Sequence, residues 1–294
     1  MKKKIIVVTG GVGFIGSNLI ELLLTKTKDN IISIDDYSFG RKKNEIKNKR
    51  VKYIKNKTEN ISEALNKYKK NIKVIFHFGE YARIHQSFKD YKECFSSNIN
   101  GTSKVLEFCT KNKIKIIYSA TSASLGNKGK DQYLSPYAYS KAQNLKMITQ
   151  LSSWFNLKYE ILYFYNVYGR RHIAKGSMAT VIGIFEEHYK KNKKIPVVKP
   201  GSQSRKFTHI DDTVNGCYLA WKKNKNYHYS LANNKSYKII EVAKLFSTKI
   251  KFLKPRLGER YKSVVLNKIS GKKIYSFPCE KKLEDYILEF KKKN

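Results

Sequence analysis

A chain of 294 residues with 41% hydrophobic content is long enough to bury a large core, as one α/β unit or as two lobes. Its four cysteines (Cys94, Cys109, Cys217, Cys279) are widely separated, with no Cys-x-x-Cys pair and no zinc spacing with histidine, which excludes a disulfide scaffold and leaves no metal site. A net charge of +37 suggests polyanion partners, but the excess is mostly lysine spread along the whole chain.

That lysine comes with abundant Asn, Ile, Tyr and Phe, residues that share A/T-rich codons, and with little of the arginine that makes forked phosphate contacts. Genome composition accounts for such a bias, so no specific nucleic-acid partner is expected. The start, Met1-Lys2-Lys3-Lys4 before four apolar residues, imitates a signal peptide but is too short for a secretory core. No stretch has membrane-spanning length, so a cytoplasmic place and no membrane partner are expected.

In chain order, the apolar run 5–8 reads as a strand and leads into Thr9-Gly10-Gly11-Val12-Gly13-Phe14-Ile15-Gly16-Ser17-Asn18, then into a helix over 13–25. Residues without a Cβ let backbone N–H groups approach a pyrophosphate at the positive end of that helix. A second strand, 31–34, ends at Asp35, roughly twenty positions after the glycines. A carboxylate there accepts hydrogen bonds from a ribose and repels a 2′-phosphate, so NAD is the expected cofactor. Further strands are predicted over 51–54, 74–78, 114–118 and 159–164, and helices over 61–69, 91–110 and 137–155. Their alternation implies βαβ units and a parallel sheet, with ligands beyond the carboxyl ends of its strands. After residue 165 the pattern is less regular, with helices over 177–190, 211–221, 239–246 and 283–290 and short strands such as 195–198.

The fourth of the first-half helices opens Ser135-Pro136-Tyr137-Ala138-Tyr139-Ser140-Lys141. Tyr137 and Lys141 are four positions apart and share a helix face. A cation beside a phenol stabilises the phenolate and draws its pKa from about 10 towards neutrality, making a general base. Upstream, strand 114–118 runs into Ser119-Ala120-Thr121-Ser122-Ala123-Ser124, whose hydroxyls can meet the substrate oxygen that changes protonation. The acidic pairs Asp35-Asp36 and Asp211-Asp212 do not read as a metal site; the second reads as a helix N-terminus, and His209 as structural.

These motifs, together with Asn98-Ile99-Asn100-Gly101-Thr102, Tyr165-Asn166-Val167-Tyr168-Gly169 and Arg205-Lys206-Phe207-Thr208-His209-Ile210-Asp211-Asp212, resemble those of the extended short-chain dehydrogenase/reductases, in particular the NAD-dependent epimerase/dehydratase family acting on nucleotide sugars. The resemblance implies an α/β fold: a Rossmann-type doubly wound parallel sheet over residues 1–165, and a smaller substrate-binding lobe made mainly of 166–294, with some segments returning to the sheet. It implies Tyr137 as acid/base, Lys141 on the nicotinamide ribose and Thr121 as the catalytic hydroxyl. Gly10, Gly13, Phe14, Ile15 and Gly16 would line the pyrophosphate and Asp35 the adenosine ribose. Asn166 and Arg205 would contact the sugar nucleotide, and Arg256, in Arg256-Leu257-Gly258-Glu259, its diphosphate. Ser263, seven positions on, would flank the sugar's C2 substituent and leave space for an N-acetyl group.

Within the family, dehydratases carry Thr-Asp-Glu and related decarboxylases a glutamate where this chain has Thr121-Ser122-Ala123. Reductases often use NADP, against which Asp35 argues. The resemblance therefore favours epimerisation at C4 of a UDP-hexose or UDP-N-acetylhexosamine by a homodimer. Lys175-Gly176-Ser177-Met178-Ala179 also resembles ADP-glyceromanno-heptose 6-epimerases, which would make Lys175 a second acid/base. A nucleotide-sugar dehydrogenase/reductase also fits these motifs, as does, outside the enzymes, an NAD-sensing or polyanion-binding protein. Departures from the family pattern are Lys57 for an adenine-reading aspartate, Lys206 for an aspartate, Tyr163 for an arginine, Leu125 for a tyrosine, and Gly79-Glu80-Tyr81 where small apolar residues usually line the cofactor pocket.

Overall fold

The computed structural model describes residues 4–125, 131–269 and 271–294. The lysine-rich start (residues 1–3) lies outside the described residues. The elements run β1 (Ile5–Thr9), α1 (Phe14–Lys26), β2 (Asn30–Asp35), β3 (Val51–Lys55), α2 (Ile61–Leu65), β4 (Ile72–His77), α3 (Tyr91–Phe95), α4 (Thr102–Lys111), β5 (Lys115–Thr121), α5 (Pro136–Phe155) and β6 (Tyr159–Phe164). They continue with β7 (Val167–Tyr168), α6 (Val181–Lys190), β8 (Ile195–Val198), β9 (Ser204–Lys206), β10 (Thr208–His209), α7 (Ile210–Lys223), β11 (His228–Leu231), β12 (Ser236–Lys238), α8 (Ile239–Phe246), β13 (Ile250–Leu253), β14 (Lys268–Ile269), β15 (Lys272–Ser276) and α9 (Leu283–Lys292).

The main sheet has the order β14-β15-β11-β6-β5-β4-β1-β2-β3, parallel except for the β14–β15 pair. Strand β1 shows why such a sheet needs cover on both faces. Its alternate residues Ile5 and Val7 join one core with α2, α4 and α5, through Ile61, Val105 and Leu145 among others. Ile6 and Val8 join the opposite core with α1 and α7, through Leu19, Leu23, Val214 and Cys217. A strand buried on both sides is apolar throughout rather than alternating, which is how the 5–8 run reads. Each such side chain contributes on the order of 1.5–3 kcal/mol of burial.

After β6 the chain divides its work. Strands β11, β14 and β15 extend the main sheet and α7 covers it, whereas α6, α8 and α9 build a separate core with Phe185, Val197, Phe246 and Ile287. The strand order reverses between β1 and β4, so the crevice at their carboxyl ends is the topological switch point.

Two predicted helices are interrupted. The 61–69 helix ends at Leu65 and continues as a 3-10 stretch, Asn66–Asn71. The 91–110 helix divides into α3, a π-helical stretch Ser96–Gly101, and α4. The wider π turn coincides with Asn98, which exchanges hydrogen bonds with the Tyr81 backbone (N–H to Oδ1 2.7 Å; Nδ2 to the carbonyl 3.0 Å) and donates to Ser140 Oγ at 3.0 Å. Three tertiary hydrogen bonds from one buried side chain outweigh regular helix geometry.

Candidate active site

A cavity of ≈ 690 Å³ opens at the switch point and brings together Gly10, Gly13, Phe14, Ile15, Gly16, Asp35, Thr121, Tyr137, Lys141, Asn166 and Arg256. Its first wall is the turn between β1 and α1. Gly10 has φ +68°, and a Cβ on it would lie 2.7 Å from the Phe78 carbonyl oxygen. A Cβ on Gly16 would lie 2.2 Å from the Gly10 carbonyl oxygen. Gly13 stands at the N-cap of helix α1 and offers no side-chain cap, so the helix's first N–H groups remain for an anion. At the end of β2 the buried Asp35 accepts from Val12 N–H at 3.1 Å and Tyr37 N–H at 2.9 Å, while burial raises its pKa. These residues fit a dinucleotide: a cradle closed to side chains, an uncapped helix terminus and a carboxylate at the end of β2 that lines the same cavity. Lys57 lines the same end of the cavity.

The second wall comes from β5 and α5. Strand β5 runs further than predicted, through Thr121, which places that hydroxyl at the strand's carboxyl end. Helix α5 is fixed by Ser135, whose Oγ accepts from Ala138 N–H at 3.1 Å, by Pro136 in its first turn, and by Asn156 in the left-handed conformation at its end. The first turn presents Tyr137, whose phenolate the Thr121 hydroxyl favours.

The expected acidification of Tyr137 by Lys141 is corrected by the structure. Burial, above all, pushes the phenol up to about 12; Thr121 and Arg83 lower it, and Glu80 raises it further. The ammonium of Lys141, 3% exposed, is bound to Glu80 Oε2 and to the Ser119 carbonyl and lies 4.4 Å from the centre of the Tyr118 ring. Lys141 is thus charge-paired with Glu80.

The third wall belongs to the smaller lobe and to the loop after β4. Asn166, with φ +34°, lines the cavity and donates to the Lys206 carbonyl at 2.9 Å. Arg256 lines it from an exposed position. Arg205 is buried nearby on Glu259 Oε1 at 2.7 Å. Ser263 is 4% exposed, is not among the cavity-lining residues, and donates its N–H to the Ser204 carbonyl at 3.0 Å. Lys175 turns away: its ammonium lies 3.4 Å from Glu187 with the side chain 68% exposed, whereas its neighbours Gly176, Ser177 and Met178 line the cavity. The geometry therefore groups Thr121, Tyr137, Lys141, Asn166 and Arg256, and leaves Arg205, Ser263 and Lys175 outside the cavity wall.

Two arginines escaped the sequence reading. Arg260, buried, lines the cavity and donates to the Ser122 carbonyl at 2.7 Å; burial and Arg205 lower its pKa to about 10. Arg83 lines it too, held on the Met178 carbonyl through Nε at 2.8 Å. A second basic residue four positions after Arg256 was the available signal for Arg260. Three departures from the family pattern have structural work. Lys206 binds the carbonyls of Asn233 and Asn234, Tyr163 pairs with His228 Nδ1 at 3.0 Å, and Leu125 is fully buried in the core. His209 caps α7 by accepting from Asp211 N–H, and Asp211 and Asp212 lie in that helix's first turn. Cys94, Cys109 and Cys217 are buried free thiols, and Cys279 is free and half-buried. Among the described residues no group of three or more His, Cys, Asp or Glu could hold a metal ion, and no helix is long and apolar enough to cross a membrane.

Comparison with known proteins gives the chain's family. The "Uncharacterized UDP-glucose epimerase YtcB" of Bacillus subtilis (strain 168) is 32% identical over 229 residues, 72% of this chain and 70% of that protein. A "Putative UDP-glucose 4-epimerase" of Methanocaldococcus jannaschii is 28% identical over 279 residues, 87% of this chain and 88% of that one. The solved UDP-N-acetylglucosamine 4-epimerase of Methanobrevibacter ruminantium M1, in complex with UDP-N-acetylmuramic acid, superposes with a TM-score of 0.84 at 27% identity, covering 99% of this chain and 98% of that one. The family described as "NAD dependent epimerase/dehydratase family" matches residues 6–232, and the chain, a Rossmann-type α/β protein with NAD as its cofactor, belongs to it.

Proposed function

We propose that this protein epimerises a nucleotide sugar, at C4 of a UDP-hexose or UDP-N-acetylhexosamine, through a transient keto sugar. The observation that carries the reading is the convergence of Thr121 and Tyr137 on one cavity, between the glycine turn and the arginines of the smaller lobe. A phenol and an alcohol meeting there can hold a single sugar hydroxyl and move its proton. NAD, when bound, supplies the hydride acceptor and then the donor, so no outside redox partner is needed.

The roles of the chain's own residues follow from their places. Tyr137 takes the proton of the sugar hydroxyl and later returns it, with Thr121 holding the oxygen during both transfers. Lys141 orients the cofactor's ribose edge. Arg256 and Arg260 offer guanidinium groups to the substrate diphosphate, where forked donors suit phosphate oxygens. Thr121-Ser122-Ala123 provides no second carboxylic acid for elimination of water, which favours epimerisation over dehydration. The names of the relatives support a UDP-sugar.

A homodimer is part of the proposal. Phe95, at the end of α3, meets Tyr91 edge-on and Tyr139 at a tilt, and both tyrosines are exposed. Sedimentation analysis checks it: a monomer at micromolar concentration would remove the dimer. The activity itself is tested by incubation with UDP-, GDP-, dTDP- and ADP-sugars. The reading expects a new stereoisomer from a UDP-sugar without net NADH. Accumulating NADH would instead identify a dehydrogenase, and a product from an ADP-heptose a 6-epimerase.

A further inference from the structure

Arg83 lies in the loop after β4 and lines the cavity, and among the described residues its guanidinium has no carboxylate partner. Backbone holds it instead. Nε (2.8 Å) and Nη2 donate to the Met178 carbonyl, and Nη1 donates to the Ala82 carbonyl at 2.8 Å. Three of its five N–H groups are engaged in this way, and two are left over on a side chain that lines the cavity. The loop that carries it is fixed. Tyr81 exchanges backbone hydrogen bonds with Asn98 and donates its hydroxyl to Asp90 at 2.9 Å, and the buried Glu80 is paired with Lys141. Glu80 and Tyr81 are residues at which the chain leaves the family pattern, so that departure holds a cation in place.

The cation belongs to the neighbourhood of Tyr137. Met178, whose carbonyl it grips, packs in one apolar cluster with Tyr81, Cys94 and Tyr137. Ser87, four positions on from Arg83, accepts from the Tyr137 N–H at 3.2 Å. Burial lowers the pKa of the guanidinium, and the two phenols, Tyr137 and then Tyr81, counter it; among the described residues no carboxylate contributes. A charge drawn partly out of water is ordinarily answered by an opposite one. Here the counter-charge is left to a ligand.

In the reading above, Arg256 and Arg260 meet the diphosphate and Tyr137 marks the reacting carbon. An anion that meets Arg83 beside Tyr137 is then part of the sugar. The planar fork of a guanidinium matches the two oxygens of a carboxylate, the anionic group of a uronic acid. We infer that Arg83 is a specificity residue that binds a carboxylate on the sugar, so that the preferred substrate is a UDP-hexuronic acid rather than a neutral UDP-hexose. The inference rests on the reading of this cavity as a nucleotide-sugar site, and it narrows the UDP-hexose of that reading to one oxidised at C6.

The test measures, by titration calorimetry on the protein supplied with NAD, the affinities for UDP-glucuronic acid and UDP-glucose, which differ only at C6. The native chain should bind the acid roughly 10- to 100-fold more tightly, the scale of hydrogen bonds to a charged group. Arg83→Gln should bring that ratio to about one, and Arg83→Lys, which keeps the charge without the fork, should leave it in between. A native ratio near one, binding of neither sugar, or a native ratio retained in the folded Arg83→Gln chain overturns the inference. So does loss of NAD binding from that folded chain, which would assign the guanidinium to the cofactor's phosphates. Where thermal melting finds Arg83→Gln unfolded, Arg83→Lys decides, and a ratio there equal to the native one overturns the inference. Affinity is read without turnover, which keeps the two readings apart. A ratio that falls with Arg83 in a protein that forms no epimer removes only the epimerase reading. C4 epimers of UDP-glucose formed by a protein with no preference for the acid remove only the carboxylate.

Discussion

Arg260 donates a hydrogen bond to the Ser122 carbonyl across 138 residues of sequence, at 2.7 Å. The contact ties the smaller lobe to the residue after Thr121, where β5 ends. Among the described residues the buried Nε of Arg260 has no hydrogen-bond partner, on a side chain that lines the cavity. A buried guanidinium with donors left over can serve an anionic ligand.

Arg260→Ala should therefore cost more than Arg256→Ala, whose side chain is exposed. Hydrogen bonds to a charged group contribute about 1.5–3 kcal/mol, so kcat/KM should fall roughly 10- to 100-fold with the fold intact. Steady-state kinetics on the substrate found by the sugar panel checks this. A smaller loss for Arg260→Ala than for Arg256→Ala would move the diphosphate contact to Arg256.

Gly16→Ala would place a methyl group 2.2 Å from the Gly10 carbonyl oxygen, a backbone atom that cannot swing away. The turn must open, at a cost of about 1–3 kcal/mol. Calorimetry should show a lower melting temperature and no NAD binding. Native NAD affinity in the variant would remove the turn from the cofactor site.

Asp35→Ala removes the acceptor of the Val12 and Tyr37 N–H groups together with the charge that repels a 2′-phosphate. NAD affinity should fall about 10- to 100-fold, and the preference over NADP should narrow. Titration calorimetry with both dinucleotides measures the two effects, and an unchanged preference contradicts the ribose assignment.

Stability should fall on acidification. His77, His209 and His228 are each pushed down to about 4, chiefly by burial, against an ordinary value of 6.5. Between those values the unfolded chain binds protons that the folded chain refuses, so their contribution is complete above pH 6.5 and drains away as pH drops towards 4. Each histidine contributes a slope of up to about 1 kcal/mol per pH unit. Urea unfolding across this range should show the decline, and His228→Asn should flatten it. Stability that is constant from pH 7 to pH 5 would mean that these imidazoles are accessible to protons.

Much of the site could be read before any coordinates. The glycine turn, Asp35, and the shared face of Tyr137 and Lys141 depend on short-range rules of strand, turn and helix. They lie in the cavity together because parallel strands deliver their carboxyl ends to one edge. What stayed hidden depends on pairs far apart in sequence. Nothing local tells that Glu80 takes the charge of Lys141 from 61 positions away, or that Asn98 bends its helix towards Tyr81. Lys175 reads as a match to a catalytic lysine, yet the chain turns between it and Gly176, which has φ +82°, and Glu187 holds its ammonium outside.

The central claim is that Tyr137 and Thr121 run a reversible oxidation at the sugar carbon beside NAD. The most direct measurement follows UDP-glucose deuterated at C4 through the native enzyme and through Tyr137→Phe. The account predicts a C4 epimer that keeps its deuterium, with turnover lowered roughly 100- to 10,000-fold in the variant while NAD stays bound. Deuterium lost to solvent, or a Tyr137→Phe enzyme as fast as the native one, would contradict it.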